Sequence, residues 1–286
     1  MSRRWRASIG MMVCAFASQA EAAPERGSDV HGFLEVSFKN AYVTPRGLVV
    51  HVDGIAIQPI AGIALALYSG SGPLDRVVFV NGVWNDLHTS QDSPDVGGWN
   101  EFDYFAAVSI QAFHRLEFGA TYSVFTSPPH NFKLEHNVEL KLGFDDTGYL
   151  TQLAVHPYAK VFFAVAGDSP VVLGGTGGAF DVELGVVPTR SLHAILRAPI
   201  TVALPSFVTF GSPGFFGDGG VMGVLVTGPE ISIPLGFPAR LGAWHVQLSA
   251  TYFHLFDENL VAAARLLGNS GDRNLLVGRV GIGMAF

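Results

Sequence analysis

Phe132-Lys133-Leu134-Glu135-His136-Asn137-Val138-Glu139-Leu140-Lys141-Leu142-Gly143-Phe144 alternates with a period of two. Phe132, Leu134, Val138, Leu140, Leu142 and Phe144 fall on one face, and Lys133, Glu135, Asn137, Glu139, Lys141 and Gly143 on the other. Only His136 interrupts the apolar face. Side chains of a strand point alternately to its two sides, so this stretch predicts a strand between an apolar phase and water. The same pattern runs outward in both directions. Leu116, Phe118, Ala120, Tyr122 and Val124 alternate with Glu117, Gly119, Thr121 and Ser123, while Phe102, Tyr104, Val108 and Ile110 alternate with Glu101, Asp103, Ser109 and Gln111.

Twelve such segments follow one another, near 33–43, 55–67, 75–86, 100–112, 116–126, 132–144, 151–166, 177–187, 199–211, 220–236, 242–256 and 274–286. Each is long enough for the ~9–11 residues that cross a bilayer as a tilted strand, and an even number suits a bacterial barrel. Mean hydropathy is +0.34 and 49% of the 286 residues are hydrophobic. No stretch supplies the ~20 apolar residues of a spanning helix: 55–68 is broken by Gln58 and Pro59, and 198–216 by Pro199, Pro205 and Pro213. The expected fold is all-β, a transmembrane antiparallel barrel of about 12 strands, because hydrocarbon tolerates no unpaired sheet edge.

Arg3, Arg4 and Arg6, the apolar run 9–17 and Ala20-Glu21-Ala22 read as a cleaved signal peptide over residues 1–22. A short periplasmic lead, 23–32, and a barrel over 33–286 complete the organisation. Cys14, the only cysteine, lies in the signal, so the mature chain forms no disulfide. Cleavage removes three basic residues and Glu21, leaving 14 basic against 23 acidic residues. That balance argues against nucleic acid as a partner. Short turns after even strands belong to the periplasm and longer loops after odd strands to the outside; the longish 188–198 connection departs from this rule.

With apolar faces toward lipid, the expected lumen-lining set is Glu35, Lys39, Glu101, Asp103, Glu117, Lys133, Glu135, Glu139, Lys141, Lys160, Asp181, Glu183, Glu230 and Arg279. An open pore with this acidic excess would weakly prefer cations; paired charges would instead close it. Tyr42, Trp84, Trp99, Tyr104, Trp244 and Tyr252, toward strand ends, are expected in interfacial girdles. Val280, Ile282, Met284 and Phe286 form a last apolar face ending in an aromatic residue, similar to the terminal strand of outer-membrane barrels. That resemblance implies the barrel-assembly machinery as a partner; outer-membrane lipid and small polar solutes are the other partners expected.

The segments Tyr42-Val43-Thr44-Pro45-Arg46-Gly47, Asn81-Gly82-Val83-Trp84-Asn85 and Trp99-Asn100-Glu101-Phe102-Asp103-Tyr104 resemble, in order, TorF-type porins and uncharacterised bacterial outer-membrane barrels. The resemblance spans about Phe33 to Asp146, with Thr44-Pro45 departing from the family before Arg-Gly. It implies a barrel of the porin kind and assigns no functional residue.

His88-Thr89-Ser90 with Trp99-Asn100 is similar to the His-x-Ser and Trp-Asn pattern of outer-membrane phospholipase A. That resemblance implies Ser90 as nucleophile, His88 as base and Asn100 as orienter, on the lipid side. Ser90-Gln91-Asp92 replaces the family's usual residues, and the Ser90 to Asn100 spacing is short. His136, His156, His193, His245 and His254 show no metal-ligand spacing, so neither metal nor cofactor is expected. Gly174 to Gly178 reads as a loop, and Asp145-Asp146-Thr147-Gly148 as a tight turn with too few carboxylates for calcium. The expected function is a monomeric outer-membrane porin or small-solute channel; a lipid hydrolase and a structural or adhesive barrel are the alternatives.

Overall fold

The computed structural model describes residues 29–90, 98–130, 132–149, 153–167, 178–192, 200–217, 220–266 and 270–286. The segment expected as a signal peptide, most of the expected periplasmic lead, residues 91–97, His193 and Gly174 to Gly177 lie outside the described residues. Twelve antiparallel strands form the wall: β1 Val30–Lys39, β2 Ala56–Ser69, β3 Leu74–His88, β4 Trp99–Ala112, β5 Leu116–Thr126, β6 Glu135–Phe144 and β7 Tyr158–Ala166. The rest are β8 (Phe180–Val186 continuing as Thr189–Leu192), β9 (Ile200–Ala203 and Ser206–Gly211), β10 (Met222–Thr227 and Glu230–Pro234), β11 Ala243–Leu255 and β12 Asn274–Ala285.

Each strand pairs with its neighbours, and β12 pairs with β1 from Phe33↔Ala285 to Lys39↔Arg279, so the sheet closes on itself. Beyond the last strand, Gly32 and Phe286 exchange main-chain hydrogen bonds of 2.7 and 3.0 Å. No described helix is long and apolar enough to span a membrane. The exterior carries Leu34, Phe38, Ile63, Phe118, Leu140, Leu142, Leu184, Val280 and Ile282, all exposed; the interior carries the polar alternates. Apolar outside and polar inside, in a sheet with no free edge, is an outer-membrane β-barrel. On the outer face Tyr122 and His136, the residue that spoils the apolar alternation, hydrogen-bond each other at 2.6 Å.

Several boundaries differ from those expected. β1 ends at Lys39, and Ala41 to Val43 turn inward. β7 begins at Tyr158 rather than 151, while the expected tight turn after β6 is present one residue on, closed by Tyr149 N donating to Asp146 O at 3.0 Å. Residues 189–192 belong to the wall. Pro188, Pro205 and Pro229 interrupt β8, β9 and β10 side by side, because proline has no N–H for the ladder. Their carbonyls still accept across the seams, from Leu204 N (2.9 Å), Gly228 N (3.3 Å) and Ala250 N (3.1 Å).

Trp99, Tyr104, Trp244 and Tyr252 lie on the outer face, but Tyr42 and Trp84 do not. Both are buried inside with ring centroids 5.6 Å apart, since Trp84 shares the face of Asp86 and Tyr42 has left the wall. Aromatic rings inside the wall lie over glycines of the neighbouring strand: Phe33 over Gly62, Phe105 over Gly82 and Tyr158 over Gly185, each a register pair. A side chain at Gly82 would meet the Phe105 ring and the Ala61 carbonyl. Gly82→Val is therefore expected to destabilise the barrel by about 1–3 kcal/mol, the usual cost of overpacking. The check is the temperature at which the folded, faster-migrating band converts to the unfolded one in mild SDS; a wild-type midpoint in Gly82→Val would refute the packing argument.

Candidate functional site

The interior is built from a wall of ionisable groups and a segment that folds into it. Between β1 and β2 the chain forms an inner ribbon, Tyr42–Val43 paired with Val49–His51. Its turn is specified locally. Pro45 fixes the second turn position, Gly47 donates to Thr44 O at 2.9 Å with φ +85°, and Thr44 Oγ1 accepts Leu48 N at 3.1 Å. Glycine is needed there twice over, for the left-handed backbone and because a Cβ would press on Leu260, Leu255 and Val224.

Above the ribbon lies α1, Glu258–Leu266. Asp257 caps it, accepting Asn259 N at 2.8 Å and Leu260 N at 3.3 Å. Leu260, Val261 and Ala264 pack one helix face onto Ala41, Val43 and Val49 of the ribbon region together with Phe215 and Phe216, so an apolar core sits inside the barrel at the end carrying the longer loops.

At the ribbon's tip Arg46 points into this interior. Its guanidinium lies 3.5 Å from the Phe162 ring centroid, with Nη2 3.2 Å from Glu139 Oε2 and Nε 3.7 Å from Asp181 Oδ2. The pairing continues along the wall. Lys160 Nζ is 3.0 Å from Glu183 Oε1 and 3.9 Å from Glu139 Oε1, Tyr158 OH donates to Glu183 Oε1 at 2.7 Å, and Lys141 Nζ donates to Glu117 Oε2 at 2.9 Å. On the opposite side Arg279 contacts Glu35, reaches Glu230 Oε2 at 4.0 Å and lies opposite Lys39 in register, while His245 Nε2 is 3.6 Å from Glu35 Oε2. Low-polarity surroundings make an unpaired charge costly, so a buried interior of charges takes the form of such chains.

A third cluster is acidic. Glu101, Asp103 and Glu135 are buried near Asp86, and Tyr42 OH donates to Glu101 Oε2 at 3.2 Å. Asp86 accepts from Gln58 Nε2 at 2.9 Å and Asn100 Nδ2 at 3.4 Å and contacts His88, whose ring lies tilted against that of His51 with centroids 3.9 Å apart.

The expected lumen residues thus occupy three groups on the inner face, except Lys133, which lies exposed ahead of β6. His88 and Asn100 do come together, on Asp86 and inside the barrel rather than on the lipid side. Ser90 Oγ sits against Gly54, and Ser90 O is 3.0 Å from His51 Nε2. Among the described residues no hydrogen bond joins His88 to Ser90, so the nucleophile–base pair implied by the phospholipase resemblance is not formed. The even spacing of His88 and Asp86 within one strand gives them one face, and that face is the lumen. Sequence reasoning missed Arg46, Asp86, Tyr42 and Gln58. Arg46 had a readable sign, a lone cation on a Pro-x-Gly turn flanked by Ala41, Val43, Leu48 and Val49, which is too apolar for an exposed loop.

No protein-family model matches the chain, and no curated protein matches its sequence. Among solved structures it is similar to an outer membrane channel from Pseudomonas putida F1, with 13% identity, a TM-score of 0.47 and coverage of 92% of this chain and 97% of that one. A bacterial polysaccharide outer membrane secretin gives 10% identity and a TM-score of 0.46, over 90% and 97% of the two chains. The beta domain of the Bordetella autotransporter BrkA gives 12% identity and 0.46, over 91% and 100%.

Asp86 is the node that joins β2, β3 and β4 from inside. Asp86→Ala leaves Gln58, Asn100 and His88 without their shared acceptor, and should cost about 1.5–3 kcal/mol, as for hydrogen bonds to a charged group. Urea unfolding in detergent, followed by the fluorescence of buried tryptophan, measures it; an unchanged midpoint would show that the node holds nothing together.

Proposed function

We propose that this outer-membrane barrel is a small-solute channel with a preference for cations, held shut in the present conformation by the inner ribbon. The observation that carries the reading is the ion-paired anchor of Arg46. Glu139, Asp181, Lys160 and Glu183 form a charged wall at the barrel's waist, and a removable segment, not another wall strand, fills the space beside them. A barrel with only a structural task has no need of buried charge, because apolar residues of similar volume fill such space at no desolvation cost. The segment is fastened at its tip by Arg46, along its length by the Tyr42–Glu101 and His51–Ser90 hydrogen bonds and by apolar packing under α1, so its withdrawal breaks these contacts while leaving the wall ladder untouched. Carboxylates outnumber cations on the inner face, which favours cations in the aqueous path this withdrawal opens. The resemblance to TorF-type porins agrees with this role, and the alternating terminal strand Val280 to Phe286 is assigned to recognition by the barrel-assembly machinery.

The apolar packing of α1, Phe215 and Phe216 over the ribbon favours a second reading, a permanently closed barrel with a structural or adhesive role. Planar-bilayer recording separates the two. Wild-type protein is expected to show brief, small openings; Arg46→Ala should lengthen and enlarge them several-fold with cation selectivity, and Arg46→Ala with Asp181→Lys should lose that selectivity. Silence of Arg46→Ala and of a variant with residues 42–51 replaced by a short glycine-serine link, both shown to be folded, would leave the closed barrel standing.

A further inference from the structure

The β6–β7 connection, far from the ribbon and at the end of the barrel with the shorter turns, brings together three groups that the sequence separates. Asp145 and Asp146 leave β6, and His156 returns two residues before β7. His156 Nδ1 lies 3.6 Å from Asp145 Oδ1 and 3.7 Å from Asp146 Oδ1, and the ligand atoms of all three lie within 4.8 Å of one another. These separations are too long for hydrogen bonds. They are close to the ~3.4 Å that separates two ligands of one tetrahedral ion bound at about 2.0–2.2 Å. The imidazole is 2% exposed, and its Nδ1 finds no hydrogen-bond partner among the described residues although it is aimed at both carboxylates.

From this arrangement we infer that Asp145, Asp146 and His156 form a binding site for a divalent transition-metal cation of the zinc class, with at least one coordination position left to solvent. The donor set is one imidazole nitrogen and two carboxylate oxygens, which suits borderline cations better than magnesium or calcium, whose sites are all oxygen.

The local fold holds the ligands in place before any ion arrives. Asp146 accepts from Val155 N at 2.9 Å and His156 N at 2.8 Å, and Asp145 Oδ1 accepts from Thr147 N at 2.8 Å. His156 itself is held at φ +47°. Burial raises the Asp146 carboxyl, but the backbone donors of His156 and Val155 outweigh it and hold it below the ordinary carboxylate range. Burial likewise pushes the His156 imidazole down, against the pull of the two aspartates, so it is a neutral donor near pH 7. The nearby Arg115 guanidinium does not occupy the carboxylates. Its Nη1 donates to the main-chain oxygens of Asp145 and Thr147 at 2.8 and 3.2 Å, and its plane stacks on Tyr149. Access is open, because the Asp145 side chain is 30% exposed.

An ion here would clasp the exit of β6 to the start of β7, whether or not the interior conducts. The test is calorimetric titration of the folded, detergent-solubilised barrel, free of any histidine tag and stripped with a chelator, with zinc chloride; cobalt(II) in a parallel titration supplies visible ligand-field bands. One equivalent is expected to bind. His156→Gly, which suits the positive φ, and Asp145→Asn should each weaken binding at least tenfold and abolish the cobalt bands, while His136→Phe on the lipid face should change nothing. Folding of each variant is verified by its heat-dependent gel shift, and Asp145→Asn, at a partly exposed position, serves if His156→Gly does not fold. Absence of a one-equivalent event in the wild type, or equal affinity in a folded variant, would overturn the site.

Discussion

Hydrocarbon offers a peptide group no hydrogen-bond partner, and every other feature of this molecule answers to that fact. An open sheet in such a solvent would leave a row of N–H and C=O groups bare on each edge, at several kcal/mol apiece. The pairing of β12 with β1 removes both rows, and the Gly32–Phe286 exchange carries the seam to its last residue. Once the wall is closed, each side chain has only two destinations. Leu140 and Leu142 meet lipid, while Glu139 and Lys141, which alternate with them, are committed to the interior.

Closure creates a second difficulty, because a barrel of this size encloses more space than its own inward side chains fill. The chain meets it with three pieces that are not wall: the Tyr42–His51 ribbon, the Phe215-Phe216 pair and α1. Their apolar faces cover one another, and the ribbon's lone guanidinium finds Glu139, Asp181 and the Phe162 ring. The apolar part of the filling is cheap to hold in place. The charged part is the specific one, since it fixes where the ribbon's tip must stop.

What the sequence made legible follows from the same physics. Period-two alternation records the sorting between two solvents residue by residue, so β4, β5 and β6 could be placed with their faces, and the register of Glu101, Glu117 and Glu139 inside the wall follows from it. Departures arise where a residue's destination depends on something other than its strand. Tyr42 and Trp84 carry the chemistry of interfacial anchors, yet one has left the wall and the other sits on the face of Asp86. Arg46 is no part of any strand, and only the fold of its ribbon decides that it meets Glu139. His156 lies ten and eleven residues from its two aspartates, a spacing with no periodic meaning; the connection between β6 and β7 has to be folded before the three can be seen as neighbours. The His88–Ser90 spacing shows the converse error: it predicts a shared face, but β3 ends at His88, whose ring meets Asp86 inside the wall, and Ser90 beyond the strand sits against Gly54.

The three proline breaks in β8, β9 and β10 also bear on how the barrel yields under load. Where one such residue weakens a rung, its neighbours ordinarily bridge the gap; here Pro188, Pro205 and Pro229 lie abreast, so the gaps line up like perforations across a quarter of the circumference. The strand segments beyond them, 189–192, 200–203 and 230–234, are tied to the rest of the cylinder mainly through β11. A breathing motion at that rim is thereby steered to one flank, making the barrel lopsided in compliance.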